Sequence, residues 1–291
     1  MKKILVTDGK GFLGSNFIEL FKKKYKIVSP KEDEADFADL SSTVKYLKEQ
    51  APDAVIFANG FCDPLYECAF DSNALIEFKN VQYAAALAGV KKIIVLSSAA
   101  DTDASAPYEN ATEEDIDAFE PASGAALEKR FIHTLAAKDR MSTVLRFFGL
   151  FGKGSDIYSN RQTEILSHAI SGKKQIALDG DKVFSNLYIE DACKIISLFL
   201  DNDYPKGIYN VASPTPCTLS ELAKKAKAFA KKNGRDIDVF IGENQEFELT
   251  ANTDKLAAAI GNLKFTAHAT AIAKTLEWFA AHKSKLKGER K

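Results

Sequence analysis

The feature that most constrains the fold of this chain is a glycine-rich turn close to its N-terminus, set between an apolar run and an amphipathic segment. Residues 3–6 (KILV) are typical of a strand and residues 12–21 of a helix. The glycines between them follow the spacing G-x-G-x-x-G at Gly9, Gly11 and Gly14. In a dinucleotide site, the first glycine allows the tight turn, the second lets the backbone approach a pyrophosphate, and the third lets helix pack on strand. The strand–turn–helix context therefore favours nucleotide binding over a glycine-rich surface turn.

Strand-like and helix-like segments alternate through the first half of the chain. The predicted strands cover residues 25–29, 53–58, 91–96 and 142–146, and the predicted helices cover residues 42–49, 73–88 and 124–137. The run 91–96 is apolar without alternation, which is typical of a strand covered on both faces. This pattern predicts an α/β fold with a doubly wound parallel sheet. Because ligands bind beyond the carboxyl ends of such strands, we expect one cleft, lined by residues 9–14, 58–60, 97–98 and 147–149.

The second half of the chain is less regular. It is predicted to contain helices at 161–170, 190–200 and 218–232 and strands at 175–178 and 207–211. Thr218 and Glu221 have the spacing of a capping box, and Ser41 or Ser42 could cap the helix that begins near residue 42. We expect a dinucleotide-binding domain at residues 1–155, completed by about 180–213. A smaller C-terminal substrate lobe would comprise residues 156–179 and 214–291.

Charge and cysteine content restrict the class of protein. The chain has 39 Lys and Arg against 40 Asp and Glu, a formal net charge of −1, which provides no general attraction to nucleic acid or to an anionic membrane. No apolar run is long enough to span a bilayer, and because the predicted first strand follows Met1 closely, we expect no signal peptide. The cysteines at 62, 68, 193 and 217 form no C-x-x-C pair, so we expect no metal site and a reducing, cytoplasmic environment.

Seven stretches, in this order and spacing, carry a resemblance that covers nearly the whole chain. They are VTDGKGFLG (6–14), DAVI (53–56), VLSS (95–98), PASGAALEK (121–129), LRFFGLFG (145–152), YIED (188–191) and YNVAS (209–213). The set resembles the extended short-chain dehydrogenase/reductase family, the NAD(P)-dependent nucleotide-sugar epimerases, dehydratases and reductases. The resemblance implies a Rossmann fold, NAD or NADP as cofactor and a nucleotide-sugar substrate. The segments 73–88 and 124–137 resemble the family's dimer bundle, which implies a homodimer.

The resemblance also assigns catalytic positions, and one of them is altered. In the family, a Tyr four residues before a Lys acts as general acid/base on a sugar hydroxyl, the Lys holds the nicotinamide ribose, and a Ser or Thr completes the hydrogen bonds. Ser98 fits the hydroxyl position and Lys129 fits the Lys, but Ala125 stands where the family has Tyr. A methyl group cannot transfer a proton. Tyr108, in the preceding segment, is a weaker candidate for that role.

The resemblance also implies a set of cofactor-binding positions, which are Gly9, Gly11, Phe12, Leu13, Gly14, Asp36, Phe37, Ala58, Asn59, Gly60, Ser97, Lys129 and Phe148. Near these positions the sequence departs from the family in two further places. Asp8 stands where the family has its first glycine. Its carboxylate would either repel a pyrophosphate or point away and cap the turn. Ser29 and Pro30 occupy the end of the second strand, where an acidic ribose ligand is expected, so NAD and NADP both stay open; Lys31 is a weak indication of a phosphate.

Three hypotheses follow. The first is a nucleotide-sugar epimerase or dehydratase-type oxidoreductase that transfers hydride at a sugar carbon. The second is a catalytically silent homologue that binds a nucleotide or a protein partner, favoured by the changes at Asp8 and Ala125. The third is a nucleotide-sugar reductase.

Overall fold

A computed structural model describes residues 1–31, 33–60, 73–101, 108–118, 120–121, 123–155, 161–243, 247–261 and 263–282. Cys62 and Cys68 lie outside these ranges, whereas Cys193 and Cys217 are buried free thiols. The helices are α1 (Phe12–Phe21), α2 (Leu40–Gln50), α3 (Asn73–Ala88), α4 (Gly124–Ala137), α5 (Arg161–Ser171), α6 (Ile189–Asp201), α7 (Leu219–Lys232), α8 (Asp254–Ile260) and α9 (His268–Ala281). The strands are β1 (Lys3–Val6), β2 (Lys26–Val28), β3 (Ala54–Phe57), β4 (Lys92–Ser98), β5 (Tyr108–Ala111), β6 (Ser142–Phe147), β7 (Leu150–Phe151), β8 (Gln175–Leu178), β9 (Lys182–Phe184), β10 (Leu187–Tyr188), β11 (Gly207–Val211), β12 (Cys217–Thr218), β13 (Asp238–Ile241) and β14 (Phe247–Ala251).

The centre of the molecule is a six-stranded parallel sheet in the order β11-β6-β4-β3-β1-β2. The chain starts at β1 in the interior of the sheet, moves to β2 at one edge, and then crosses back through β3 and β4. This reversal is the topological switch point at which ligands bind in doubly wound sheets. The predicted α/β doubly wound fold is therefore confirmed.

Apolar side chains on the two faces of this sheet form two separate cores. Ile94 and Leu96 of β4 face the larger core with α1 and α6, whereas Ile93 and Val95 face α2, α3 and α4. The split follows from the strand period of two, which sends successive side chains to opposite faces. Ser97 of the same strand faces α4, since it contacts that helix, and Ser98 follows on the opposite face.

Several sequence predictions match the structure to the residue. Helices α1, α3 and α4 and strands β8 and β11 have the predicted bounds. Thr218 and Glu221 form the predicted capping box at the start of α7. The predicted cap of α2 is wrong: α2 begins two residues earlier, and Asp39 caps it by accepting the Ser42 N–H at 2.6 Å.

The sequence analysis assigns no helix or strand to the segment 99–121, but its described residues include β5 and short 3₁₀ turns at Ala99–Asp101 and Glu114–Ala118. β5 pairs with β14 in a four-stranded sheet of order β12-β9-β14-β5. Because its partner lies more than a hundred residues away along the chain, no local periodicity indicates this strand. β11, after residue 200, forms an edge of the central sheet. Within the described residues, no helix has both the length and the apolar character needed to cross a membrane.

Candidate active site

The glycine turn packs as tightly as its spacing predicts. A Cβ at Gly14 would lie 1.9 Å from the Asp8 carbonyl oxygen, so only glycine lets α1 approach the end of β1 this closely. A Cβ at Gly9 would lie 2.3 Å from Ser29 Oγ, at the end of β2. No side chain caps α1, and its first turn contains no acidic residue. The N-terminus of α1, bounded by Gly11, Phe12 and Leu13, therefore presents the N–H groups and positive dipole end that favour an anion.

Asp8 caps the turn, as one of its two interpretations predicted. Its Oδ1 accepts the backbone N–H of Gly11 at 2.8 Å. The carboxylate does not point away, because a Cβ at Gly11 would meet its Oδ2 at 2.1 Å. A negative charge thus covers the glycine where the backbone would approach a pyrophosphate.

A cavity of about 480 Å³ opens beside this turn. Its lining joins the turn, the end of β2, the loop before α2, the end of β3 and one residue of α3: Thr7, Asp8, Gly9, Lys10, Pro30, Lys31, Ala35, Asp36, Phe37, Asn59 and Glu77. Four predicted cofactor residues, Gly9, Asp36, Phe37 and Asn59, meet here. Asn59 donates to the Glu77 carboxylate at 2.7 Å, which fixes the amide at the edge of the cavity.

The predicted catalytic positions on α4 are buried and do not line this cavity. Ala125 is in the first turn of α4, with Lys129 one turn later on the same face. Lys129 Nζ donates to the Gly60 carbonyl oxygen at 2.6 Å. Burial lowers the pKa of Lys129, against the opposing effect of Glu128 and Asp101. The lysine that should hold a ribose is thus bound to the protein's own backbone.

Beneath Lys129 lies a buried polar network that the sequence analysis did not identify. Arg146 on β6 forms a bidentate ion pair with Asp101, with Nη2 at 2.7 Å from Oδ1 and Nε at 2.8 Å from Oδ2. Its Nη1 donates to Asn210 on β11 at 3.2 Å. His133 Nε2 lies 2.6 Å from Ser97 Oγ, and His133 Nδ1 lies 3.2 Å from Asp101 Oδ2. The five side chains join β4, β6, β11 and α4 at the carboxyl end of the sheet.

This network sets the ionisation of Asp101 and Arg146. Burial alone would raise the pKa of Asp101, but Arg146 and His133 outweigh it and hold that pKa at about 2. Burial would lower the pKa of Arg146, and the Asp101 carboxylate raises it instead. The pair is therefore charged at neutral pH and fully removed from solvent.

Tyr108 lies beside the same network. Its ring stacks on Phe148 with the centroids 6.2 Å apart, and the Arg146 guanidinium lies 5.6 Å from the Tyr108 ring and 4.9 Å from the Phe148 ring. Burial raises the pKa of Tyr108, while Arg146 acts in the opposite direction. Tyr108 is thus a buried aromatic residue.

The predicted site residues fall into two groups. Gly9, Asp36, Phe37 and Asn59 line the cavity. The other predicted residues do not line it, and four of them are buried: Ala58 donates its N–H to Thr7 Oγ1, Ser97 contacts His133, Ser98 Oγ accepts the Ala100 N–H at 3.4 Å, and Phe148 packs on Tyr108.

Two signals could have indicated the network. Arg146 is a charged residue within an apolar strand, and a buried arginine requires a partner. His133 follows Lys129 by four residues and therefore shares its helix face. Nothing local to Asp101 indicates its role, because its partners come from distant segments.

The comparisons with known proteins agree with this architecture. The family model described as NAD dependent epimerase/dehydratase matches residues 4–212. No curated protein sequence matches the chain.

Solved structures resemble it closely in fold at low sequence identity. A GDP-L-fucose synthetase from Naegleria fowleri has a TM-score of 0.83 and 19% identity, with 99% of this chain and 96% of that chain covered. A UDP-glucose 4-epimerase from Thermotoga maritima has a TM-score of 0.76 and 18% identity, covering 96% and 99%. A GDP-mannoheptose C4 reductase from Campylobacter jejuni, solved with NADP, has a TM-score of 0.76 and 16% identity, covering 96% and 98%. From the glycine turn, the sheet order and the match over most of its length, the chain belongs to the NAD-dependent epimerase/dehydratase family.

Proposed function

We propose that this protein is an NAD(P)-dependent oxidoreductase of the epimerase/dehydratase type that acts on a nucleotide sugar. The observation that carries the proposal is the cavity of about 480 Å³ at the switch point of the sheet, where the glycine turn, Asp36 and Asn59 converge. The solved relatives include an epimerase with UDP-glucose and a reductase with NADP, which supports both the substrate class and the cofactor.

The residues at the adenosine end of the cleft fit a dinucleotide. Gly14 allows the tight helix approach, the uncapped N-terminus of α1 suits a phosphate, and Asp36 with Phe37 lies where adenine is expected. The Asp8 carboxylate weakens the fit at the pyrophosphate, because it adds a negative charge beside Gly11.

A bound nicotinamide would supply the hydride acceptor and donor that no side chain provides. Lys129 would hold its ribose after exchanging the Gly60 carbonyl for a ribose hydroxyl, an exchange between two oxygen acceptors. Ser98 would hold the reacting sugar oxygen. Ala125 can move no proton, so this proton transfer requires another group.

The second candidate is a catalytically silent homologue that binds a nucleotide or a protein partner. Two observations favour it: Ala125 has no group that can transfer a proton, and Lys129 is buried and donates to the Gly60 carbonyl oxygen. Both of the family's catalytic positions on α4 would then have only a structural role. A nucleotide-sugar reductase is a further candidate, supported by the fold likeness to the synthetase and the C4 reductase.

We extend the proposal to assembly and environment. Ile76, Tyr83 and Leu87 form an exposed apolar stripe on α3, and Leu127 with Phe131 forms one on α4. These stripes suit a homodimer in which the two helices pack against their copies. The smaller lobe, residues 156–179 and 214–291, would bind the substrate. The buried free thiols of Cys193 and Cys217 are consistent with a cytoplasmic enzyme.

Calorimetric titration with NAD⁺ and NADP⁺ tests the cofactor half of the proposal. We expect saturable binding of at least one of the two and a rise in the melting temperature with ligand concentration. Absence of both effects would contradict dinucleotide binding. Turnover across nucleoside diphosphate sugars with different bases then separates the enzyme from the silent homologue.

Sedimentation velocity tests the homodimer. Phe131→Glu places a charge in the α4 stripe and should shift the protein to monomer. Phe240→Glu is a matched control, since Phe240 is similarly exposed, on β13, away from α3 and α4. A wild-type monomer, or equal behaviour of the two variants, would exclude this interface.

A further inference from the structure

We infer that the surface formed by α7 and β13 docks on an anionic lipid bilayer. Lysines of α7 would face the lipid headgroups, and the exposed Phe240 and Ile241 of β13 would enter the boundary of the acyl chains. This contact lies at the bilayer surface and requires no spanning helix. It uses no residue of the cofactor cavity, so it goes beyond the proposed function and can hold or fail separately from it.

Helix α7 carries a concentrated positive charge, although the chain as a whole is nearly neutral. Residues 222–235 contain five lysines and one arginine and no Asp or Glu, in a chain whose formal net charge is −1. The buried face of the helix is apolar and consists of Leu222, Ala223, Ala226 and Ala230. The opposite side holds the basic face, which we define as Lys224, Lys225, Lys227, Lys231 and Lys232.

Exposed apolar side chains lie beside this basic face. Lys227 Nζ lies 4.0 Å from Asp238 Oδ1, which places β13 next to the helix. Successive residues of a strand alternate between its two faces, so Phe240 projects to the same side as Asp238. Phe240 is 56% exposed, and Ile241, the next residue, is 45% exposed. Lysines and large apolar side chains therefore share one accessible surface.

The lysines nearest the strand form a continuous stripe. Lys224 lies three residues before Lys227 and Lys231 lies four residues after it, so the three share one line along the helix. The acidic side chains at this border have local partners, since Asp238 pairs with Lys227 and Asp236 accepts the Ile237 N–H at 3.1 Å. The stripe therefore keeps a net positive charge.

The chemistry of this surface suits a bilayer better than a nucleic acid. Lysines attract an anionic lipid surface through charge alone, and an exposed Phe or Ile gains free energy by leaving water for the acyl boundary. Proteins that bind nucleic acid use the planar fork of Arg and aromatic rings that stack on bases. Five of the six basic residues here are lysines, and Ile241 has no ring that could stack.

Co-sedimentation of the full chain with vesicles tests the inference. We expect binding to vesicles of equal parts phosphatidylcholine and phosphatidylglycerol, weakening at high salt, and no binding to phosphatidylcholine alone. Joint substitution of Lys224, Lys227 and Lys231 by Gln should lower the partition coefficient at least about tenfold, because each lysine near the surface contributes about fivefold. The control substitutes Lys23, Lys45 and Lys48 by Gln, exposed lysines outside α7 that carry the same total charge.

The apolar part of the contact is tested separately. Phe240→Ser should weaken vesicle binding several-fold at low and at high salt, because burial of an aromatic ring is not screened. Leu20→Ser is the matched control, since Leu20 is 44% exposed on α1 and should have no effect. All these substitutions replace exposed or half-exposed side chains, and circular dichroism verifies that each variant is folded.

Four results would overturn the inference. They are no binding to the mixed vesicles, equal binding to phosphatidylcholine alone, equal losses in the two triple variants, and tighter binding to a DNA duplex that the α7 triple variant abolishes. The last result would assign the surface to nucleic acid. None of them bears on the calorimetric titration with NAD⁺ and NADP⁺, so the proposed function is tested independently.

Discussion

The two ends of the cleft differ in how much of the family's site they keep. The proposed adenosine end is an open cavity whose lining includes the polar side chains of Asp36, Asn59, Lys10 and Lys31. The catalytic end is packed: Ala125 is buried, and Lys129 is bound to the Gly60 carbonyl. The proposed function therefore assigns recognition of the cofactor and chemistry on the substrate to two different regions of the fold. The first depends on backbone shape, whereas the second depends on a few side chains that one substitution can remove.

The largest expected effect comes from restoring the family's catalytic tyrosine, which would remove the difference between the two ends of the cleft. Ala125→Tyr should raise turnover with a nucleotide sugar by about 10²–10⁴-fold, the usual contribution of a positioned general acid/base. Steady-state kinetics across a nucleotide-sugar panel measure it. Ala125→Phe is the matched control, because it adds the same ring without the hydroxyl. If Tyr and Phe give the same near-zero rate in folded protein, the silent homologue is favoured.

The second-largest expected effect concerns the buried network around Asp101 and Arg146, which we expect to stabilise the folded state. Asp101→Asn leaves the buried Arg146 charge without its anionic partner, so it should lower the free energy of unfolding by about 3–5 kcal/mol. Urea denaturation measures the change. Asp203→Asn is the control, since it removes only an exposed partner of Lys92. A small loss in Asp101→Asn would show that the network is not structural.

The pH dependence of stability gives a smaller, related effect. The pKa of Asp101 in the folded chain, about 2, lies below its value of about 3.9 in an unfolded chain. Its contribution, roughly 2–3 kcal/mol, is therefore complete above about pH 4 and is lost as the pH falls through about 2. Urea unfolding at a series of pH values should show a steeper acid loss in wild type than in Asp101→Asn. Parallel curves would contradict the assignment.

The smallest expected effect is a change in dinucleotide affinity on removal of the Asp8 charge, at the proposed adenosine end of the cleft. Asp8→Asn removes the charge over Gly11 but keeps an oxygen that can accept its N–H. Dinucleotide affinity should rise about fivefold, corresponding to about 1 kcal/mol of relieved repulsion. Affinity for 5′-AMP should change less, because it carries one phosphate. Unchanged dinucleotide affinity in calorimetry would show that the Asp8 carboxylate lies away from the bound phosphates.

The fold was predictable wherever the information was local. Gly9, Gly11 and Gly14 marked the turn, and apolar periodicity located α1, α3 and α4 to the residue. Gly9 and Asn59, which line the cavity, could be placed at one edge of the sheet for the same reason, since each follows the end of a strand. β5 and the partners of Arg146 could not be found in this way, because Asp101, Asn210 and β14 approach only after the chain has folded.

The position of β11 at the edge of the sheet has a consequence for the order of synthesis. Until residues 207–211 leave the ribosome, β6 has no neighbour on one side, and Arg146 lacks its bond to Asn210. The nascent chain would thus expose an apolar strand edge while some sixty further residues are translated, a state prone to pairing with other chains. A chaperone that shields this edge would have its greatest effect during that interval.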